Sequence, residues 1–177
     1  MTSRFVPNVK TILYPFQHGF QKGKFCVTQL IEVFYDIGHA LDHGLETDII
    51  SLDFANIFHS VCPAKLASKL KTFGINDPLL SWFYSYQTGR RHRVVLNGNF
   101  SNWADVGSSV PQGSLLGQIL FLLFVNDTPN VMNSATLAMF ADDSKCYRIL
   151  NNDADFSKLL WDLLSFTTWS LSSEFYF

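Results

Sequence analysis

Two adjacent carboxylates, Asp142 and Asp143, end the apolar approach of residues 137–140. Ser144 and Lys145 follow, then a second strand-like run at residues 146–149. The pattern predicts strand, tight turn, strand, with the acids at the bend. Two carboxylates about 5 Å apart repel by roughly 3 kcal/mol at an effective dielectric near 20. A divalent cation relieves that repulsion, and Mg²⁺ prefers one or two carboxylates together with substrate phosphates. Turn chemistry alone also places Asp at bends, because Asp tolerates bent backbone and hydrogen-bonds locally. A third acid, Asp53, favours the metal. It closes the run Ile49, Ile50 and Leu52, which reads as a buried strand. Ligands bind at the mouths of such strands in sheets covered by helices.

The elements that must position these acids follow from periodicity and punctuation. Residues 1–25 carry no sustained period and read as loop and short extended pieces. Residues 26–44 predict a helix whose stripe is Val27, Leu30, Ile31, Phe34 and Leu41, with Gly44 as its stop. His39 and His43, four apart on it, read as a solvated face rather than a metal pair. After Asp53, Cys62-Pro63 opens a helix with Leu66, Leu70 and Phe73 inward. Asp77-Pro78 opens another, with Leu79, Leu80, Phe83 and Tyr84 inward. These two make a helical insertion behind the first acid. Residues 94–106 predict a hairpin around Asn97-Gly98. A glycine-bearing loop at 108–117 feeds a buried helix at 120–125. A last helix starts near Asp153, bears Phe156, Leu159, Leu160 and Leu163, and extends toward Trp169. Helices and strands mix without strict alternation, which predicts an α+β fold with a largely antiparallel sheet packed on helices.

Arg90, Arg91 and Arg93, with His92 between, form the one dense basic cluster. It suits a phosphate backbone or a nucleotide triphosphate, or equally a solvated strand start.

The 177 residues, 47% apolar and 16% charged, suffice for one domain with a core and exclude a disordered chain. The longest apolar run, 119–125, is far short of the ~18 residues of a membrane span. Cys26, Cys62 and Cys146 show neither disulfide nor zinc spacing and suit a reducing, intracellular compartment, nuclear or cytoplasmic. The net charge of −2 lacks the basic footprint of a complete nucleic-acid enzyme. Either no nucleic acid is bound, or the basic parts lie outside this chain.

Several of these stretches, in order and with fitting gaps from about residue 17 to 169, resemble the reverse transcriptases of non-LTR retrotransposons of the jockey kind. They are Leu52-Asp53-Phe54, Val110-Pro111-Gln112-Gly113-Ser114, Leu116-Gly117, Asn126-Asp127 and Phe140-Ala141-Asp142-Asp143. Gln17-His18-Gly19-Phe20, residues 86–90 and Trp103 resemble the same family's spacers. The resemblance implies the palm of a right-hand polymerase with part of the fingers, as a single domain over 1–177, incomplete at both ends and lacking the thumb. It implies Asp53 and Asp142 as catalytic metal ligands with Asp143 as their accessory, holding two Mg²⁺ ions, or Mn²⁺. It implies Phe54, Phe58, Gln112 and Gly113 at the nucleotide, with Phe58 excluding the ribose 2′-hydroxyl. Arg90, Arg91 and Arg93 would then meet nucleic acid. The partners implied are an RNA template, a DNA primer and dNTP, and the reaction is templated DNA synthesis, with no membrane and no stated oligomeric state. In such chemistry the ions sit roughly 4 Å apart and are bridged by carboxylates from different segments.

The chain also departs from that pattern. Ile57 puts bulk where the family has alanine, near the nucleotide sugar, and His59 replaces an acid. Ser109 stands for a glycine and is strained if that position needs positive φ. Gln118 stands for a proline. These departures keep a second reading open, a catalytically dead remnant acting at most as an RNA- or protein-binding module. A third, another two-metal enzyme such as an RNA-copying RNA polymerase or a nuclease, is opposed by Phe58 and the 110–114 loop, since a nuclease needs no nucleotide-selecting pocket.

Overall fold

The computed structural model describes residues 9, 11–54, 57–111 and 113–175. It comprises two compact units, residues 1–57 with 125–177, and residues 58–124.

The first unit is built on an antiparallel sheet of order β1-β7-β6, with β1 Glu46–Leu52, β6 Thr136–Phe140 and β7 Asp143–Leu150. Helix α1, Cys26–Asp42, packs against β1 and β6. Its buried face is Val33, Ile37 and Ala40, with Val33 and Ile37 meeting Ala138 and Tyr147 of the sheet. The apolar stripe expected to be inward faces out instead: Val27, Ile31, Phe34 and Leu41 are each more than 60% exposed. Polar partners set the rotation of this helix. Tyr147 donates to Asp36 at 2.6 Å, and buried His18 lies between Thr28 Oγ1 (2.8 Å) and Glu32 Oε2 (3.1 Å). Leaving those groups unpaired in the interior would cost more than exposing aliphatic surface, which proteins do freely.

Strand β1 also differs from expectation. It is a half-buried edge strand, with Ile49 46% exposed, because among the described residues only β7 pairs with it. The last helix of this unit, labelled α6 in chain order, spans Asp153–Ser172 and is capped by the Asn152 side chain, which accepts from the Ala154 amide. It packs against β7. Leu159, Phe166 and Trp169 are buried on it, whereas Phe156 and Leu160 are exposed.

The second unit holds the expected helical insertion. After the single turn α2, Ile57–Ser60, come α3, Pro63–Thr72, and α4, Leu79–Gln87. Leu66, Leu70, Leu80 and Phe83 are buried on them, and Tyr84 is not. Pro78, expected as the first helical residue, takes the N-cap position of α4, and Asp77, one place before it, still accepts the Ser81 amide at 3.1 Å. The expected hairpin is two short ladders, β2 Arg90–His92 with β5 Ala104–Val106, and β3 Val95–Leu96 with β4 Asn99–Phe100. Asn97 and Gly98 both take positive φ in the inner turn, as a two-residue I′ turn requires. Helix α5, Leu115–Val125, is apolar all round and buried from Ile119 to Val125. Lys69 caps it, donating to the Phe124 carbonyl at 2.7 Å. No described helix is long and apolar enough to cross a membrane.

Candidate functional site: three acids on one sheet and a basic loop

Strand β6 is buried at Leu137, Ala138 and Met139 in succession, and β7 at Ser144, Cys146 and Tyr147, so the hairpin is held in the unit's interior and its turn lies at the sheet's end. Phe140 pairs with Asp143, leaving a two-residue turn of Ala141 and Asp142. Ala141 takes φ 58°, a left-handed conformation uncommon for a residue with a Cβ. The β1–β7 ladder runs antiparallel to its last pair, Leu52 with Ser144. Asp53 directly follows Leu52 and Asp143 directly precedes Ser144, so both flank that last pair. Residues 53 and 142, 89 positions apart in sequence, therefore lie at the same end of the sheet.

Electrostatics reports the same proximity. Burial first, and then the charges of Asp143 and Asp53, hold the Asp142 carboxyl above the usual carboxylate range, against a hydrogen bond from its own backbone. Asp53 and Asp143 themselves are exposed. Among the described residues no three His, Cys, Asp or Glu side chains converge tightly enough to enclose an ion by themselves. The donor set fits a hard divalent cation that takes one or two carboxylates and completes its shell with phosphate or water. It contains oxygen acids, no sulfur or imidazole, and a repulsion that a cation would relieve.

Phe54 follows Asp53 but turns inward. It is 5% exposed, stacks with Phe166 at 5.5 Å, and meets Phe175 at 5.5 Å and Trp169 at 6.2 Å in tilted contacts. Its contacts place this side chain in the core of the first unit. Ile57 is also buried, at 2% exposure, so its bulk goes into packing.

In the second unit, Phe58 is half-buried against Phe121, with ring centroids 4.4 Å apart, and its carbonyl receives the Val110 amide at 3.0 Å. That bond ties the start of the 110–114 loop to the aromatic. Gly113 takes φ 81°. A Cβ at Gly117 would overlap the Pro111 carbonyl, so the loop closes on the start of α5 only with glycine there. Gln112 lies outside the described residues. Ser109 does take positive φ, 119°, as a glycine would, and is held there by its surroundings. Its amide donates to Val61 and Arg90 donates to both its carbonyl and its hydroxyl.

The three arginines divide their roles. Arg90 spends its guanidinium on Ser109 and on the Gln87 carbonyl, so it locks the loop. Arg91 pairs with Asp105 at 3.2 Å in an exposed ion pair. Arg93 lies over Phe100 at 4.2 Å and Trp103 at 4.7 Å, an exposed stack of cation and rings. His59, Arg90, Arg91 and His92, with Val106, Ser109 and Val110, line an open cavity of about 540 Å³. Four nitrogenous side chains around an open hollow suit an anion.

Two buried residues that the sequence marks only by their resemblance to the family's spacers bear on the turn. Gln17, 3% exposed, and His18, 2% exposed, sit on the segment beside β6, and Gln17 touches the acid-bearing turn directly. The resemblance assigns them no role; their contacts do.

Acids at a hairpin turn and at the end of an edge strand in one unit, and a glycine loop tied to an aromatic in the other, are features that a templated polymerase of the reverse transcriptase class presents. The family model described as reverse transcriptase (RNA-dependent DNA polymerase) matches residues 1–169, and the chain belongs to that family. Within it, this is a reverse transcriptase domain of the retrotransposon type. The chain is 34% identical over 131 residues to a probable RNA-directed DNA polymerase from transposon X-element of Drosophila melanogaster, covering 72% of this chain and 14% of that protein. It is 30% identical over 141 residues to the corresponding protein of transposon BS, covering 76% and 16%. To the RNA-directed DNA polymerase from mobile element jockey of Drosophila funebris it is 30% identical over 136 residues, covering 72% and 15%. The chain thus spans about one-seventh of the length of these relatives.

Proposed function

We propose that this chain carries the metal-binding acids of an RNA-directed DNA polymerase, and that Asp53 and Asp142 are its principal ligands. The observation that carries the reading is that Asp142 hangs from the two-residue turn between β6 and β7, where burial first and then the charges of Asp143 and Asp53 hold its carboxyl above the usual range. Asp53 and Asp142 would hold two Mg²⁺ ions, or Mn²⁺, which when bound would activate the primer 3′-hydroxyl and neutralise charge on the leaving pyrophosphate. Asp53 and Asp142 come from different segments, as ligands that bridge must. Asp143, exposed at the start of β7, serves as the accessory acid.

The second unit supplies the nucleotide and nucleic-acid functions. Phe58 with Gly113 and Gln112 form the dNTP side, where a flat ring discriminates against a 2′-hydroxyl by clash. Arg91 and Arg93 meet the phosphate backbone of RNA template and DNA primer, while Arg90 holds the loop between them and Ser109. The exposed Arg93, Phe100 and Trp103 stack offers both a charge and ring faces, the two features single-stranded nucleic acid uses.

Primer extension on an RNA template with Mg²⁺ is the direct test. Synthesis abolished by Asp142→Ala and by Asp53→Ala supports the reading. A folded chain without extension, but with RNA affinity lost on Arg93→Ala, supports the alternative of an inactive RNA-binding remnant. His59, standing where the family has an acid, is the feature that favours that alternative, because it adds a nitrogen base to the basic cavity.

A further inference from the structure

We propose that Gln17 is a positioning residue for Asp142, holding the peptide from which that carboxylate hangs. The inference rests on Asp142 being a metal ligand.

The segment around Gln17 lies alongside β6 as a short parallel bridge between Gln17 and Met139. The His18 amide donates to the Met139 carbonyl at 2.8 Å, and the Met139 amide donates to the Phe16 carbonyl at 3.0 Å. That pairing aims the Gln17 side chain along β6 to its end, where the strand turns. There its Oε1 accepts from the Ala141 amide at 2.8 Å and from the Gly19 amide at 2.8 Å, and its Nε2 donates to the Ala141 carbonyl at 3.2 Å. All three bonds are buried. The orientation of the side-chain amide is fixed by this set, since a flipped amide would aim its NH₂ at two donors.

The consequence is specific to the turn. The Ala141 carbonyl belongs to the peptide that leads into Asp142, and the Ala141 amide to the peptide before it. One side chain therefore pins both peptide planes around a residue held at φ 58°. For a residue with a Cβ that region is sparsely populated and persists only where the surroundings over-determine it. Gly19 belongs to the same device: a Cβ there would overlap the backbone N and Cα of Ala141, so only glycine lets the segment come this close. Gln17 is braced in turn. Its carbonyl accepts from Gln21 Nε2 at 2.6 Å and Lys24 Nζ at 3.1 Å. The next residue, His18, is gripped by Thr28 and Glu32 of α1. A chain of contacts thus runs from α1 through Gln17 to the peptide that carries Asp142. Outer partners that orient a metal ligand typically change metal affinity by about 10–100-fold when removed.

The test is a Mn²⁺ titration of the whole chain, read as free Mn²⁺ by electron paramagnetic resonance, with thermal unfolding recorded in parallel. Gln17→Met, close in volume but unable to hydrogen-bond, and Gln17→Ala should weaken the Asp142-dependent binding by about tenfold or more while unfolding stays cooperative. Adding Ala141→Gly, which tolerates positive φ unaided, should recover about threefold or more of that loss. Unchanged affinity in folded Gln17 variants, with binding still lost in Asp142→Asn, overturns this inference alone. A loss that Ala141→Gly leaves untouched assigns Gln17 to the fold at large and also overturns it. A native chain without Asp142-dependent Mn²⁺ binding overturns the metal reading itself and the purpose given to Gln17 with it. In the native chain the Ala141 amide should exchange slowly with solvent; exchange at free-loop rates overturns the clasp without recourse to any variant.

Discussion

Asp142→Asn should make the metal-free chain more stable and abolish its response to Mg²⁺. The carboxyl is half-buried and faces the charges of Asp143 and Asp53. Neighbours on adjacent strands stand about 5 Å apart at the backbone. Carboxylates at about 6 Å in the high effective dielectric of a partly exposed site, near 60, repel by about 1 kcal/mol. Relieving that repulsion raises the unfolding temperature by about 2–4 °C in a chain of this length. The sign with pH follows from the raised carboxyl. A folded-state value above the unfolded one means that the folded chain binds the proton more tightly. Ionised Asp142 therefore costs stability, and that cost grows as pH rises from the unfolded value through the folded one. The advantage of asparagine is full at neutral pH and vanishes in acid, where both side chains are neutral. With about 10 mM Mg²⁺ and a site of about 1 mM affinity, the native chain gains about 1.4 kcal/mol, and the variant gains nothing. Differential scanning fluorimetry at two pH values, with and without Mg²⁺, reads all four states. A variant less stable than the native chain in the absence of metal, or equal stabilisation of both by Mg²⁺, refutes the reasoning.

Other outcomes follow from the same contacts. Asp162 is buried, and although desolvation pushes its carboxyl up, four donors from residues 133–135 prevail and hold it below the usual range. Asp162→Ala strands three backbone amides and should cost about 3 kcal/mol or more in urea unfolding. Because this carboxyl is depressed, its stabilisation is present above the unfolded value and lost as pH falls through the folded one, so native chain and variant should converge in strong acid. Gly19→Ala drives a Cβ into the Ala141 backbone, which cannot yield as a side chain would, and should lower stability by about 1–3 kcal/mol; an unchanged melting temperature would contradict the close approach. Arg90→Ala should cost about 1–3 kcal/mol by freeing the Ser109 and Gln87 carbonyls. Arg93→Ala should leave stability nearly unchanged but weaken single-stranded RNA binding and reduce its salt slope by about 0.7–1. Equal effects of the two substitutions on RNA affinity and on stability would erase the division of roles.

Local pattern by itself determined much of this protein. The acids at a two-residue bend, the proline-opened helices, the Asn97-Gly98 turn and the all-round apolar α5 depend on interactions within a few residues, and so could be read along the chain. The order of the acid-bearing and glycine-bearing stretches also marked the family. Tertiary structure decided what those pieces face. The apolar stripe of α1 points outward because buried His18 and the Tyr147 hydroxyl must keep their partners on the other side. Phe54 serves the core and Arg90 serves a loop because rings and carbonyls far off in sequence arrive beside them. The hold of Gln17 on the turn joins residues 124 positions apart. No periodicity encodes such a bond: it exists only once the parallel bridge to β6 has formed and has left a buried amide with a single set of partners to satisfy it.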